Sequence, residues 1–329
     1  VPRSGEDCRG VVSELSIPPW VPFSDITAER VEWVVPGVPR GMLTLLAGPP
    51  KTGKSLLTAR WAAELSYQGE PSVLVSAEDS PSHVTKARLQ ALEANEALIH
   101  YSPGFTIDPS ALQDIVTRTE QLGPSLIVLD PFTAMMPGDI SSWSDQHVRS
   151  LLSPMADIAQ VMQVAIVYVL HLNKRSSGTL IDRIGGSIGF AGAARSILGM
   201  SKDDTMPERR LLGHICNVAE AQPTQVYEIK KVTIPSGTKE PDYETAKLHY
   251  AGLSERDADS LYEGHGEDAG ELDACMTLLA DRLALGEVTS AEIDAMLRAN
   301  GVSKATELRA RKALGVQAVQ KGRRWVLYL

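Results

Sequence analysis

The stretch GPPKTGKS, residues 48–55, constrains this 329-residue chain more than any other. It is preceded by MLTLLA (42–47), a short apolar run of the kind that makes a buried strand. It is followed by SLLTARWAAELSYQG (55–69), in which apolar residues recur at helical spacing up to a glycine. A strand-to-helix loop of the form GxxxxGK[ST] turns backbone N–H groups inward, and the helix N-terminus adds partial positive charge, so the two together seat phosphate. Gly48, Gly53, Lys54 and Ser55 stand at every fixed position of that pattern. Pro49 and Pro50 stiffen the loop entry and Gly53 allows close backbone approach. Lys51, Thr52 and Leu56 complete the candidate nucleotide contacts. Lys54 is expected to reach the β- and γ-phosphates of ATP, and the Ser55 hydroxyl to ligate Mg²⁺. The alternative is a glycine-lysine turn with no ligand.

A phosphate loop also needs a metal carboxylate and a group that activates water. SLIVLDP (125–131) is an apolar strand ending in Asp130, as expected of a carboxylate that holds Mg²⁺ through water. SVLVSAEDS (72–80) is another, ending in Glu78 and Asp79. Glu78 is placed to accept a proton from the attacking water, and a solvated acidic turn is the alternative. VAIVYVLHLNK (164–174) is a further strand with His171 just past its end, where it would contact the γ-phosphate or serve as a hydrogen-bonded rim histidine. Four continuous apolar runs separated by helical stretches predict an α/β fold with a mostly parallel sheet covered on both faces.

Hydrophobic residues make up 43% of the chain and charged residues 22%, the balance of a soluble globular protein. Cys8, Cys216 and Cys275 form no CxxC pair and no ligand spacing, which argues against a disulfide framework or zinc site. No apolar run reaches membrane-span length, and the expected location is cytoplasmic. The net charge of −9 hides an asymmetry. Residues 251–275 carry eight acids against Arg256 alone, whereas residues 298–329 carry eight bases against Glu307 alone. That reversal predicts an N-terminal extension over 1–22, an ATPase domain over 23–250, an acidic linker over 251–270 and a small basic domain over 271–329.

The segment from about 23 to 235 resembles the RecA/DnaB-type P-loop ATPases. It is most similar to the small hexameric plasmid replicative helicases of the RepA type and their phage relatives. GPPKTGKS, VLVSAEDS, LIVLDP, VLHLNK and IGGSIGFAGAARSIL carry the likeness in this order. The resemblance implies that Glu78 activates water and that His171 senses the γ-phosphate. It also implies that Arg195, following Gly186 and Ser187, is an arginine finger supplied to the neighbouring subunit. A homo-oligomeric, hexameric ring follows from it, with a primase or replication initiator as a possible partner. Two departures stand out: Leu170 occupies the place of a first histidine, and the lysine usual before Asn217 is missing. In RecA-like rings the loop corresponding to LNKRSSGTLIDRI (172–184) faces the channel, so Lys174, Arg175 and Arg183 are expected to contact single-stranded DNA. The loop has no aromatic residue and includes Asp182, and a solvated loop is the alternative.

The C-terminal stretch reads as three helices and two strands. Thr289 or Ser290 caps the second helix, Ser303 caps the third, and VQAVQKGRRWVLYL alternates about a turn. This order is similar to the winged-helix domains found on phage ATPases of the same family. Lys304, Arg309 and Lys312 on the third helix, with Lys321 and Arg323 on the wing, are the candidate duplex-DNA contacts. Subunit packing is the other use of such a unit. Two function classes follow: an ATP-driven DNA motor such as a ring helicase, and an ATP-dependent loader, initiator or recombination mediator that does not unwind. A P-loop metabolic kinase fits the Glu78, His171 and Arg195 set poorly.

Overall fold

The computed structural model describes residues 20–142, 144–172, 178–184, 188–203, 205–235, 242–262, 267–284, 286–321 and 324–328. Val1–Val31 is a unit by itself, in which Phe23–Asp25 makes one 3-10 turn; Glu32–Leu329 forms the second unit. In chain order the second unit contains β1 (Trp33–Val35), β2 (Val38–Pro39), β3 (Leu43–Gly48), α1 (Lys54–Tyr67), β4 (Ser72–Ser76), α2 (Lys86–Ala91), β5 (Ile99–Pro103), α3 (Pro109–Leu122), β6 (Leu126–Asp130), α4 (Asp145–Met162), β7 (Ala165–His171), α5 (Gly189–Ala193), β8 (Ser196–Lys202), β9 (Arg209–Cys216), β10 (Thr224–Ile234) and β11 (Tyr243–Ser254). Then follow α6 (Glu267–Ala284), β12 (Val288–Thr289), α7 (Ser290–Ala299), α8 (Lys304–Ala313), β13 (Gln317–Lys321) and β14 (Arg324–Tyr328).

Local chemistry sets most helix ends. Helix α1 begins after Gly53, whose φ of 98° lies in the left-handed region that glycine enters at no steric cost. Helix α3 starts on Asp108, whose carboxylate accepts from the Ala111 N–H, with Pro109 in the first turn where its missing N–H costs nothing; it stops at left-handed Gly123. Ser144 caps α4 in the same way.

The central sheet has nine strands in the order β11-β10-β9-β8-β3-β7-β6-β4-β5. The six strands from β8 to β5 are parallel, and β9, β10 and β11 extend the sheet antiparallel. The four sequence-read strands are therefore the middle of a longer array. Side chains alternate across it. Leu45, Leu129, Tyr168 and Leu170 face the layer of α4, where Val148, Leu152 and Met155 are buried. Leu46, Val128, Val167 and Val169 face the layer of α1, with Leu57, Trp61 and Leu65. Each fully buried side chain of this size contributes roughly 1.5–3 kcal/mol, so the two layers together hold the sheet rigid behind the loops at its edge. Among the described residues no helix is long and apolar enough to cross a membrane.

The stretch expected as an acidic linker over 251–270 is corrected by the structure. Its first residues belong to β11, and Ala258, Leu261 and Tyr262 are buried in the sheet core. They fit because Gly199 and Gly213 lack side chains: a Cβ on Gly199 would come within 3.0 Å of the Tyr262 ring, and one on Gly213 within 2.6 Å of the Ala258 backbone. The segment therefore buries apolar residues spaced among its acids. The C-terminal residues have their own core of Cys275, Leu279, Ile293, Leu297, Ala310 and Leu327, beside a small sheet in the order β12-β14-β13. Thr289 caps α7 in a reciprocal box with Glu292, and Ser303 caps α8.

Candidate nucleotide site

Strand register gathers the site. Gly48, the last residue of β3, lies opposite His171, the last of β7, and Ser76, the last of β4, lies opposite Asp130, the last of β6. Because the four strands are parallel, their C-terminal ends share one edge, where ligands of such sheets bind. The loop after β3 is closely backed. A Cβ on Gly48 would come within 2.5 Å of the Met200 carbonyl oxygen of β8, so only glycine fits. The Thr52 hydroxyl donates to the Pro49 carbonyl at 2.9 Å, and Lys51 adopts a φ of 61°. Pro50 and Lys51 are exposed, and Leu56 is half-buried.

Lys54 is the most buried cation at this edge, only 5% exposed. Its ammonium donates to the Gly48 and Pro49 carbonyls at 2.8 and 3.0 Å and meets His171 Nδ1 at 3.1 Å. Burial draws its pKa down to about 8, and the charges of Asp130 and Glu78 oppose the fall. While Lys54 is protonated it has only protons to offer, so in this contact His171 Nδ1 accepts. Partial burial, then the Lys54 charge, holds the imidazole below its usual pKa. Ser55 Oγ donates to Asp130 Oδ2 at 2.7 Å. Burial raises the Asp130 carboxyl, while the Ser55 hydrogen bond and Lys54 restrain it.

The turn bearing Glu78 is fixed from several sides. The Ala77 N–H donates to the Asp130 carbonyl at 3.1 Å, and the Gly104 N–H to the Ser76 carbonyl at 2.9 Å. The Asp79 N–H donates to Ser76 Oγ at 3.0 Å, and Arg88 pairs with the Asp79 carboxylate at 2.6 Å. Asp79 is thus occupied by Arg88, whereas Glu78 is exposed and lies within electrostatic reach of Lys54, His171 and Asp130. Arg88 was not singled out in the sequence. Nor was Arg210, a buried arginine whose Nε–H donates to the Thr52 carbonyl at 2.8 Å. Its signal was available: a charged residue inside the otherwise buried strand RRLLGHIC.

Arg195 stands apart from this cluster. Its N–H donates to the Leu43 carbonyl at 3.0 Å, at the start of β3, so it lies at the opposite end of the sheet from the loop. Along six-residue β3 that separation is roughly 16 Å. Its side chain is exposed.

The expected DNA contacts meet varied outcomes. Arg183 is corrected: it is 5% exposed, its guanidinium lies 5.3 Å from the centre of the Tyr262 ring, and Nη1 donates to the Tyr262 carbonyl. The apolar and aromatic surroundings that the 258–262 segment supplies bury it, so it does not face solvent as a phosphate contact must. Lys304 is ion-paired with Asp294 and Glu307, and Lys321 with Glu287. Arg309 and Lys312 are exposed on α8. Lys174, Arg175, Gly186, Ser187 and Arg323 lie outside the described residues.

A family model described as "AAA domain" matches residues 13–177. The chain belongs to this AAA domain family. Its large, mostly parallel central sheet fits a RecA-like P-loop core. It is 29% identical over 143 residues to a DNA repair protein RadA of Bacillus subtilis (strain 168), covering 43% of this chain and 30% of that protein. A DNA repair protein RadA of Chlamydia pneumoniae is 30% identical over 140 residues, or 42% of this chain and 30% of the relative. A Protein RecA of Nitratidesulfovibrio vulgaris (strain DP4) is 32% identical over 103 residues, or 31% and 28%. The chain thus spans about 30% of the length of the curated relatives it matches.

Proposed function

We propose that this RecA-like ATPase hydrolyses ATP at the loop 48–56 and acts on DNA as an assembly of several copies. The observation that carries the reading is the convergence of Lys54, Ser55, Asp130, His171 and Glu78 at the C-terminal ends of β3, β4, β6 and β7. Loop amides and Lys54 would hold the phosphates of ATP. Among the described residues no three His, Cys, Asp or Glu side chains group as a metal cage. Ser55 and Asp130 offer two hard oxygens in mutual contact, which fits Mg²⁺, an ion that keeps water and phosphate ligands beside one or two protein oxygens. Bound there, Mg²⁺ would neutralise charge developing on the phosphates. Glu78 would take a proton from the attacking water, and neutral His171 would present Nε2–H to the γ-phosphate oxygen.

Two expected results test this chemistry. Glu78→Gln should keep ATP affinity and lose turnover by roughly a hundredfold or more; phosphate release at wild-type rate would move the base elsewhere. ATP binding should also take up protons near pH 8. Lys54 in the nucleotide-free chain is about half-protonated there. The phosphates favour its charged form and raise its pKa. Affinity should therefore fall as pH rises through about 8. Calorimetry in buffers of different ionisation enthalpy reads the uptake, and wild-type heats near pH 8 that do not change with the buffer would refute it.

The finer reading is a ring-forming helicase, hexameric, of plasmid or phage-type replication, with single-stranded DNA in its channel and a primase or initiator as partner. Under it the C-terminal unit is a winged helix that meets duplex DNA through Arg309 and Lys312. The second reading is an ATP-dependent DNA-binding loader, initiator or recombination mediator that does not unwind, and relatives named DNA repair protein RadA favour a role of this non-helicase kind. A strand-displacement assay beside a DNA-stimulated ATPase assay separates the two. ATP-dependent displacement supports the helicase, and DNA-stimulated hydrolysis without displacement supports the second reading.

A further inference from the structure

Arg210 on β9 is 7% exposed, yet among the described residues no carboxylate stands within ion-pair distance of it. Its neighbour Arg209 is paired with Glu228 at 3.6 Å. Alternation along the strand turns Arg210 the other way, toward the phosphate loop. There it gives Nε–H to the Thr52 carbonyl at 2.8 Å and Nη1–H to the Pro207 and Arg209 carbonyls at 2.6 Å each. A buried guanidinium served only by carbonyl oxygens keeps its full charge, because arginine does not deprotonate in proteins. Glu208 acts on that charge only from beyond ion-pair distance, and a charge buried without a paired anion is costly.

Its main contact also has a geometric consequence. A trans peptide holds its C=O and the following N–H in one plane, pointing in opposite directions. Fixing the Thr52 carbonyl on Arg210 therefore fixes the Gly53 N–H on the side away from β9. Gly53 takes a left-handed φ of 98°, and Thr52 is itself buried. Glycine has broad backbone freedom, so an external tie on the peptide before it removes conformations that the loop alone would sample.

We infer that Arg210 is a positioning residue of the nucleotide site: it holds the Thr52–Gly53 peptide with its N–H presented to phosphate, and it places a buried positive charge behind the loop. The inference rests on the proposed ATP-binding role of residues 48–56. It also joins β9, part of the antiparallel extension, to the occupancy of the loop.

The test uses the full chain with Mg²⁺ and a fluorescent ATP analogue, alongside melting temperatures. Arg210→Gln removes the charge and most of the fork; its affinity should fall on the order of tenfold or more, as for a lost charge-assisted hydrogen bond. Arg210→Lys keeps the charge without the planar fork and should recover part of that loss. ADP affinity should fall alongside ATP affinity, because both fill the same amides. A folded Arg210→Gln that binds within about twofold of wild type would overturn the inference. In wild type, ATP should also slow amide exchange across 203–212, and unchanged exchange there would overturn it whether or not the variants fold. If wild type binds ATP and Lys54→Ala does not, while Arg210→Gln binds normally, this inference alone fails. If wild type binds no ATP, the nucleotide reading fails with it.

Discussion

Lys54→Ala should leave a folded chain that hydrolyses ATP at less than about a thousandth of the wild-type rate, a loss of the size seen when a charged clamp on a transferring phosphoryl group is removed. The reason lies in what the side chain joins. Its ammonium touches the carbonyls of Gly48 and Pro49 and the ring of His171, so one atom links the entry of the phosphate loop to the end of β7. Alanine removes the buried charge at that junction, and no other described lysine lies within its hydrogen-bond reach. The fold should survive, because burial already disfavours the charged form of Lys54 and its loss relieves that cost. Phosphate release and calorimetric titration with ATP check the result, with a melting curve to show the variant is folded. Near-wild-type turnover would remove the phosphate loop from the mechanism.

Arg195→Ala should bind ATP normally and hydrolyse it on the order of a thousandfold more slowly, as removal of an arginine finger does in other P-loop systems. Its position at the start of β8 keeps it roughly 16 Å from the loop of its own chain, the length of β3. If it acts on nucleotide as proposed, it does so in a neighbouring copy. Hydrolysis by wild type should then rise with protein concentration. Mixing Arg195→Ala with Lys54→Ala should restore part of the turnover, because some interfaces join an intact loop to an intact finger. If mixing under conditions of proven subunit exchange restores nothing, Arg195 is a surface residue and the proposed assembly loses its main support.

The phosphate loop was legible because its determinants are local. Gly48, Gly53, Lys54 and Ser55 sit within eight residues, and the flanking apolar run and helical periodicity are properties of the chain itself. The same holds for Asp130 and His171 at the ends of apolar strands, and for the caps Thr289 and Ser303, whose side chains bond to amides three residues away. Each of these depends on contacts a few residues apart, which spacing and residue type already specify. The tertiary structure alone decided which strand ends meet. Gly48 finds His171 and Ser76 finds Asp130 through the pairing order of strands far apart in sequence. It also decided that Arg183 turns inward onto Tyr262, that 258–262 packs on Gly199 and Gly213, and that Arg210 reaches Thr52 across 158 residues. An arginine's charge reads the same in sequence whether it faces solvent, an aromatic ring or a backbone carbonyl. Its role follows from the burial and partners that long-range packing imposes, and these depend on side chains from segments with no local relation to it.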